Sequence, residues 1–136
     1  MQQVIRDNFG ASQYDAYVDG AVAGSLHYRV EGDQMWLLHT ATGQDHRGIG
    51  LEDRLIRYAL ADARRRRLMV LPFCHQVRKR VFAHPVYLQL VPAADRERFR
   101  ESFEENMKEE ALWAAKAKRA ADKAARMAPV EQAAAA

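Results

Sequence analysis

The stretch LHTATGQDHRGIGL, residues 38–51, decides the fold. It begins at the apolar end of a strand, passes through a polar loop with glycines, and ends where a helical pattern starts. The first turn of a helix offers unpaired backbone N–H groups to an anion, and glycine lets the backbone approach a ligand closely. The segment therefore predicts a strand, an anion-binding loop and a helix, an order typical of a pyrophosphate site.

Two other phosphate-binding loops do not fit this stretch. A Walker loop needs Gly-Lys followed by Ser or Thr, and the chain contains no such triplet. A dinucleotide-binding fingerprint needs a third glycine where Asp53 stands, and it belongs to the first strand–helix unit of a fold. Here Gly48 and Gly50 follow a run of strands, which favours a different kind of anion site.

Upstream of the loop, the pattern predicts an antiparallel meander. Asp19-Gly20 and the turn at residues 31–33 are hairpin signals, and Leu26, Tyr28 and Val30 alternate at period two. The predicted strands of the meander cover residues 13–18, 21–30 and 35–40, after a short strand over residues 3–8.

Downstream of the loop, the period changes to that of a helix. Leu51, Leu55, Ala59 and Ala63 recur every four residues, and the pattern ends in arginines at 64–67, where cations suit the negative end of the helix dipole. A strand is predicted over residues 68–71 and a short helix over residues 75–83. The order predicts an α+β fold in which a helix–strand–helix crossover follows the meander.

Residues 93–136 differ in kind from the rest of the chain. Residues 95–127 lack Gly and Pro and are rich in Ala, Glu, Lys and Arg, so they predict one long helix. The predicted organisation is a domain over residues 1–92, the helix over 93–128 and a disordered tail over 129–136. Two roles stay open for the helix. It packs on its own domain through Phe99 and Phe103, or an alanine stripe binds a second copy or a protein partner.

Composition limits the classes of function. The net charge of +3 comes mainly from arginine runs near residues 64–67 and 78–80, which suits an anionic ligand and is too small to indicate nucleic acid. The single cysteine, Cys74, allows no internal disulfide, and the five histidines show no metal-binding spacing. Neither a signal peptide nor a membrane span is expected, so the predicted location is the cytoplasm, without membrane contact.

Several short motifs occur one after another along the chain. They are Tyr28-Arg29, His39-Thr40, His46-Arg47-Gly48-Ile49-Gly50-Leu51, Pro72-Phe73-Cys74, Val77 and His84-Pro85-Val86-Tyr87. Their order and spacing resemble the GNAT superfamily of N-acetyltransferases, and within it a subfamily of very short, YjdJ-like N-acetyltransferase-domain proteins. The resemblance covers about residues 3–92 and does not extend to the C-terminal helix.

The resemblance implies a minimal GNAT-like core that uses acetyl-CoA to acetylate an unspecified amine, which attacks the thioester directly. Cys74 and His39 match the subfamily's candidate catalytic residues, although strict alternation from Leu37 would turn His39 inward. The residues implied to bind CoA are Thr40, Ala41, Thr42, Asp45, His46, Arg47, Gly48, Ile49, Gly50, Leu51, Cys74 and Arg78. No metal is implied.

Several positions depart from the motifs of the family. Ala41 replaces a glutamate of the strand motif, and His75-Gln76 replaces Pro-Phe after the cysteine. Asp45 stands where the wider family has Arg or Gln, and Glu52 and Asp53 bring negative charge to the first helical turn. These departures leave a second interpretation open: a catalytically degenerate binding module with the GNAT fold, whose C-terminal helix contacts a dimer mate or partner. A nucleic-acid binder rests only on the arginine runs.

Overall fold

One five-stranded sheet, with its strands in sequence order, organises the chain. The computed structural model describes the backbone of residues 2–135 and the side chains of residues 2–127. Neighbours within β1–β4 are antiparallel, whereas β5 runs parallel to β4. The strands are β1 (Gln3–Asn8), β2 (Gln13–Val18), β3 (Ala21–Glu31), β4 (Gln34–Thr42) and β5 (Met69–Pro72).

The three predicted helices occur in the predicted order, with an additional four-residue helix after the second of them, and the first makes the crossover from β4 to β5. The helices are α1 (Leu51–Arg65), α2 (His75–Ala83), α3 (Pro85–Leu88) and α4 (Arg96–Ala135). The mixed α+β fold, with a mostly antiparallel sheet and a long C-terminal helix, confirms the predicted fold class.

The predicted apolar stripe attaches α1 to the sheet. Leu55, Ala59 and Ala63 are completely buried, and α1 contacts β2, β3, β4 and β5. Complete burial of a leucine-sized side chain, such as that of Leu55, stabilises a fold by roughly 1.5–3 kcal/mol. This packing fixes the position of the N-terminus of α1 relative to the end of β4.

A buried carboxylate ties the middle of α1 to the sheet. Asp62 is 7% exposed and accepts a hydrogen bond of 2.6 Å from the Tyr14 hydroxyl, while Arg65 and Arg66 pair with its oxygens. Burial alone would raise the pKa of Asp62, but the Tyr14 hydrogen bond and the two arginines outweigh it and lower that pKa. Burial and the adjacent carboxylate together raise the pKa of Tyr14 above its usual range.

A β-bulge in β4 resets the alternation of its side chains. Leu37 and His39 pair with two adjacent residues of β3, so Leu38 is an extra residue in the ladder. A bulge shifts the following side chains by one position relative to a simple two-residue repeat. Leu37 is therefore buried, His39 is exposed and Thr40 turns toward α1. The inward direction that strict alternation predicts for His39 is wrong for this reason.

The chain divides into two units, residues 1–103 and 104–136. Within the first, Phe99 is buried against Phe73 and the ring of Phe103 stacks on Phe82, which agrees with the packing role expected for these residues. The helix α4 extends to Ala135, beyond residue 128 where the sequence predicts its end. Because the side chains of residues 128–136 lie outside the described part, the tail expected at 129–136 stays a prediction.

Candidate functional site

A cavity of about 850 Å³ lies where the end of β4, the N-terminus of α1 and one side of α2 meet. Its lining comprises Thr40, Ala41, Thr42, His46, Arg47, Gly48, Gly50, Leu51, Glu52, Asp53, Ile56, Gln76, Lys79, Arg80 and Ala83. The space exists because the β4–β5 pairing ends at Leu37 and Pro72, while β4 continues to Thr42 beside β3. The two parallel strands therefore part at the mouth of the site.

The N-terminus of α1 faces this cavity without a side-chain cap. The helix starts after Gly50, and its first backbone bond runs from Arg54 N–H to Gly50 O, so the N–H groups of residues 51–53 precede the intrahelical ladder. Gly48 and Gly50 have φ values of +83° and +77°, which L side chains rarely adopt. A Cβ at either glycine would meet no atom within 4 Å, so open space lies beside the backbone.

Charged side chains of both signs border the cavity. Arg47, Lys79 and Arg80 bring positive charge, and Glu52 and Asp53 bring negative charge. One Asp53 oxygen lies 3.1 Å from Arg80 of α2, and another lies 3.0 Å from Arg57, one turn along α1. The paired arginines offset the charge of Asp53 and tie α2 to the start of α1.

A short chain of polar atoms connects Glu52 with Cys74. The Thr40 hydroxyl donates to Glu52 Oε1 at 2.5 Å, and its oxygen lies 3.9 Å from Cys74 Sγ. Because the Thr40 proton is engaged by the carboxylate, its oxygen is the acceptor in the contact with the thiol. The arrangement brings a carboxylate, a hydroxyl and a thiol together beside the cavity.

Cys74 lies just outside the lining of the cavity, at the start of α2. It is 8% exposed, its N–H donates to Leu37 O at 3.0 Å, and its carbonyl accepts from Arg78 N–H at 3.0 Å. The hydrogen bond to Leu37 links β4 to the chain just after β5, beyond the last residue pair of the two strands. Cys74 is thus fixed beside the bulge at Leu38.

Arg78 has a structural position rather than one in the cavity wall. Its guanidinium donates to the carbonyl oxygens of Pro72 and Phe73 at 3.2 and 2.8 Å. Burial lowers its pKa, an effect that the nearby Cys74 opposes. The neighbouring Lys79 and Arg80, by contrast, line the cavity.

His39 lies on the sheet face opposite Thr40. Its ring stacks on that of His27 with a centroid separation of 4.2 Å and an interplanar angle of 19°. The side chain is exposed, and it does not take part in the described lining of the cavity. The catalytic role that the family resemblance implies for His39 stays a prediction.

The structure brings most of the predicted cofactor-binding residues together. Those that line the cavity are Thr40, Ala41, Thr42, His46, Arg47, Gly48, Gly50 and Leu51, whereas Asp45, Ile49, Cys74 and Arg78 do not. Asp45 is exposed in a short 3₁₀ turn, and Ile49 packs partly against the core. The ligand-binding roles of both groups stay predictions.

Seven residues of the cavity wall are absent from the predicted set: Glu52, Asp53, Ile56, Gln76, Lys79, Arg80 and Ala83. Lys79 and Arg80 reach the cavity because α2 presents this side of its first two turns to it, which the weak apolar periodicity of α2 does not reveal. Glu52 brings its carboxylate to the cavity wall. Its hydrogen bond from Thr40 forms because the bulge in β4 turns the Thr40 side chain toward α1. A sequence signal existed for Lys79 and Arg80, which belong to a basic run suited to an anionic ligand, and for Glu52 and Asp53, which are acidic residues in the first turn of a helix.

The described residues contain no cluster of three or more His, Cys, Asp or Glu side chains that could hold a metal ion. Across the same part of the chain, none of the helices is long and apolar enough to cross a membrane.

Comparison with known proteins places the chain in a family. A family model described as GCN5-related N-acetyl-transferase matches residues 13–91. Because the match covers more than half of the 136 residues, the chain belongs to this family of acetyltransferases. The predicted superfamily is confirmed, and the YjdJ-like subfamily stays a prediction. A search of curated proteins finds no match.

Proposed function

We propose that this protein is an acetyl-CoA-dependent N-acetyltransferase, and that the substrate amine attacks the thioester directly. The observation that carries the proposal is the cavity where β4 and β5 part, with the uncapped N-terminus of α1 at one side. Membership of the acetyltransferase family supports the reaction class. The YjdJ-like subfamily and a cytoplasmic setting are part of the same proposal and rest on the sequence.

The residues present fit CoA on three grounds. The volume of about 850 Å³ lies in the range of pockets that enclose cofactor-sized ligands. The open space beside Gly48 and Gly50 leaves the backbone accessible to a pyrophosphate, which the positive end of α1 favours. The Thr42 hydroxyl oxygen is buried without a hydrogen-bond partner among the described residues, so a ligand atom could satisfy it.

In this proposal, different residues along the cavity bind different parts of acetyl-CoA. Arg47 and Lys79 attract the phosphates, and the N–H groups of residues 51–53 donate to them. Beyond Leu37, the edge of β4 that β5 leaves free offers backbone groups to the pantetheine arm. When bound, acetyl-CoA supplies the activated acetyl group. Backbone N–H groups beside the bulge at Leu38 are the candidate donors to its carbonyl oxygen.

Two residues are candidates for the chemistry near the acetyl group. Cys74 is held beside the bulge and shares a contact with Thr40, whose hydroxyl is bonded to Glu52. His39 stands on the other face of the same strand, from which an amine could approach the bulge. The amine that is acetylated is unspecified.

A second candidate function is supported by the carboxylate of Glu52. It lies in the first turn of α1, among the lining residues, where it opposes a bound pyrophosphate. A chain that retains the GNAT fold but binds CoA weakly would serve as a binding module, and α4 would contact its partner. The two functions differ in their affinity for CoA.

Calorimetric titration of acetyl-CoA into the full chain and into Gly48→Glu separates them. We expect micromolar binding by the native chain and at least a hundredfold weaker binding by the variant, because the new carboxylate enters the anion site. Gly20→Glu is the matched control, since Gly20 has a φ of +86°, a Cβ there meets no atom within 4 Å, and it lies in a distant hairpin. Binding by Gly20→Glu should equal that of the native chain.

The results discriminate clearly. No binding of acetyl-CoA by the native chain at millimolar concentration would refute the transferase proposal and favour the binding module. Equal losses in Gly48→Glu and Gly20→Glu would show that backbone strain, and not the anion site, is responsible.

A further inference from the structure

The second unit of the chain carries opposite charges in its two halves. Residues 104–110 contain four glutamates and one lysine, and residues 111–127 contain five lysines or arginines and one aspartate. The segment is one continuous helical stretch of α4, about 36 Å long at 1.5 Å per residue. The N-terminal part of this segment is therefore strongly acidic and its C-terminal part strongly basic.

The apolar residues of this helix are concentrated near the boundary between the two halves. Leu112 is 54% exposed and Trp113 is 68% exposed, with Met107 and Met127 also exposed on either side. Every side chain from residue 111 to residue 127 is exposed. A helix in water draws most of its stability from packing of one face, so an exposed helix with a central tryptophan favours a partner.

We propose that residues 104–127 pair with the same residues of a second copy of this chain in an antiparallel helix pair. In that orientation, the acidic half of each helix lies beside the basic half of the other. A parallel pair would place acid beside acid and base beside base, which costs free energy at both ends. A two-fold axis would pass near Trp113, close to the midpoint of the charge pattern, so that the two tryptophans bury each other's rings.

Charge complementarity selects a second copy over other partners. A basic partner would match only residues 104–110, and a polyanion would match only residues 111–127 and be repelled by the glutamates. The helix of a second copy satisfies both halves at once and has the same length. The pairing needs no residue of the acetyltransferase cavity, so it stands whether or not the chain is an active enzyme.

The test uses full-length chains and their mass in solution at low ionic strength. The native chain should sediment with the mass of two chains, twice 15.5 kDa. Lys118→Glu, Arg119→Glu and Lys123→Glu together should halve that mass, because the basic half becomes acidic and then faces the acidic half of the second copy. Adding Glu104→Lys, Glu105→Lys and Glu109→Lys to this triple variant reverses the sign of the charge in both halves, keeps the native net charge, and should restore two chains per particle.

The sixfold variant distinguishes the orientation from a general charge effect. Circular dichroism checks that each variant keeps the helical content of the native chain. A native chain that stays single at millimolar concentration, or a triple variant that stays paired, would overturn the proposal. So would a sixfold variant that stays single, or a native chain that is single alone and binds nucleic acid through its basic half.

Discussion

Glu52 offers a direct way to measure how the α1 terminus treats an anion. Its carboxylate borders the cavity in the first turn of α1 and accepts a hydrogen bond from Thr40. In Glu52→Gln, the amide oxygen can still accept that bond, so the substitution removes charge and preserves local geometry. We expect acetyl-CoA to bind the variant more tightly than the native chain.

The magnitude follows from Coulomb's law in a cavity open to solvent. At a separation of about 6 Å in water, each pair of unit charges repels by roughly 0.7 kcal/mol, so two phosphate charges give about 1.4 kcal/mol. Such a change corresponds to an approximately tenfold lower Kd. The gain should shrink in high salt, because the screening length falls from about 10 Å at 0.1 M to about 3 Å at 1 M ionic strength.

The assay is calorimetric titration of acetyl-CoA at low and high salt. Glu31→Gln is the control, since Glu31 carries the same charge, pairs with Arg29 and lies outside the cavity. It should leave Kd unchanged. An unchanged or higher Kd for Glu52→Gln would refute the reasoning, because it would mean that the carboxylate does not face the phosphates.

Three further expectations concern the chemistry and the core. Cys74→Ala should slow acetyl transfer by roughly a hundredfold in steady-state kinetics and leave the Kd of acetyl-CoA unchanged; normal turnover would remove the thiol from the mechanism. His39→Ala should also leave that Kd unchanged, because the side chain lies outside the cavity, and should lower kcat; calorimetry and kinetics on the same sample check both. Asp62→Asn should cost about 1–3 kcal/mol of unfolding free energy, because it weakens the buried bond from Tyr14. Since the folded-state pKa of Asp62 is lowered, its stabilisation is complete above about pH 4 and is lost as pH falls through that pKa. The difference in Tm between Asp62→Asn and the native chain should therefore narrow on acidification below about pH 4, and a constant difference would contradict this.

The sequence carries most of the fold because its local signals agree with one another. Asp19 and Gly20 both have positive φ, as a two-residue hairpin requires, and the stripe from Leu51 to Ala63 is the buried face of α1. The alternation fails at Leu38, since a bulge depends on how β3 pairs with β4 and leaves no mark in the residue pattern. The direction of His39 could not be predicted for this reason.

The candidate site was predictable where it depends on the backbone and less so where it depends on tertiary packing. Gly48 and Gly50 mark the loop in sequence as they do in space. Arg78 and Lys79 are adjacent and equally basic, and only the orientation of α2 decides that Lys79 borders the cavity while Arg78 bonds to carbonyls after β5. The residue pattern of a short, weakly amphipathic helix does not determine the rotation of that helix to within one residue.

The most direct test of the central claim is a map of the backbone amides that respond to acetyl-CoA. Heteronuclear NMR of the full chain during a titration reports each N–H separately. If the N-terminus of α1 binds the pyrophosphate, the largest shifts fall on residues 48–53, with smaller ones along residues 40–42 of β4. No shifts at saturating acetyl-CoA, or shifts confined to β1 and β2, would contradict the assignment of this cavity as the acetyl-CoA site.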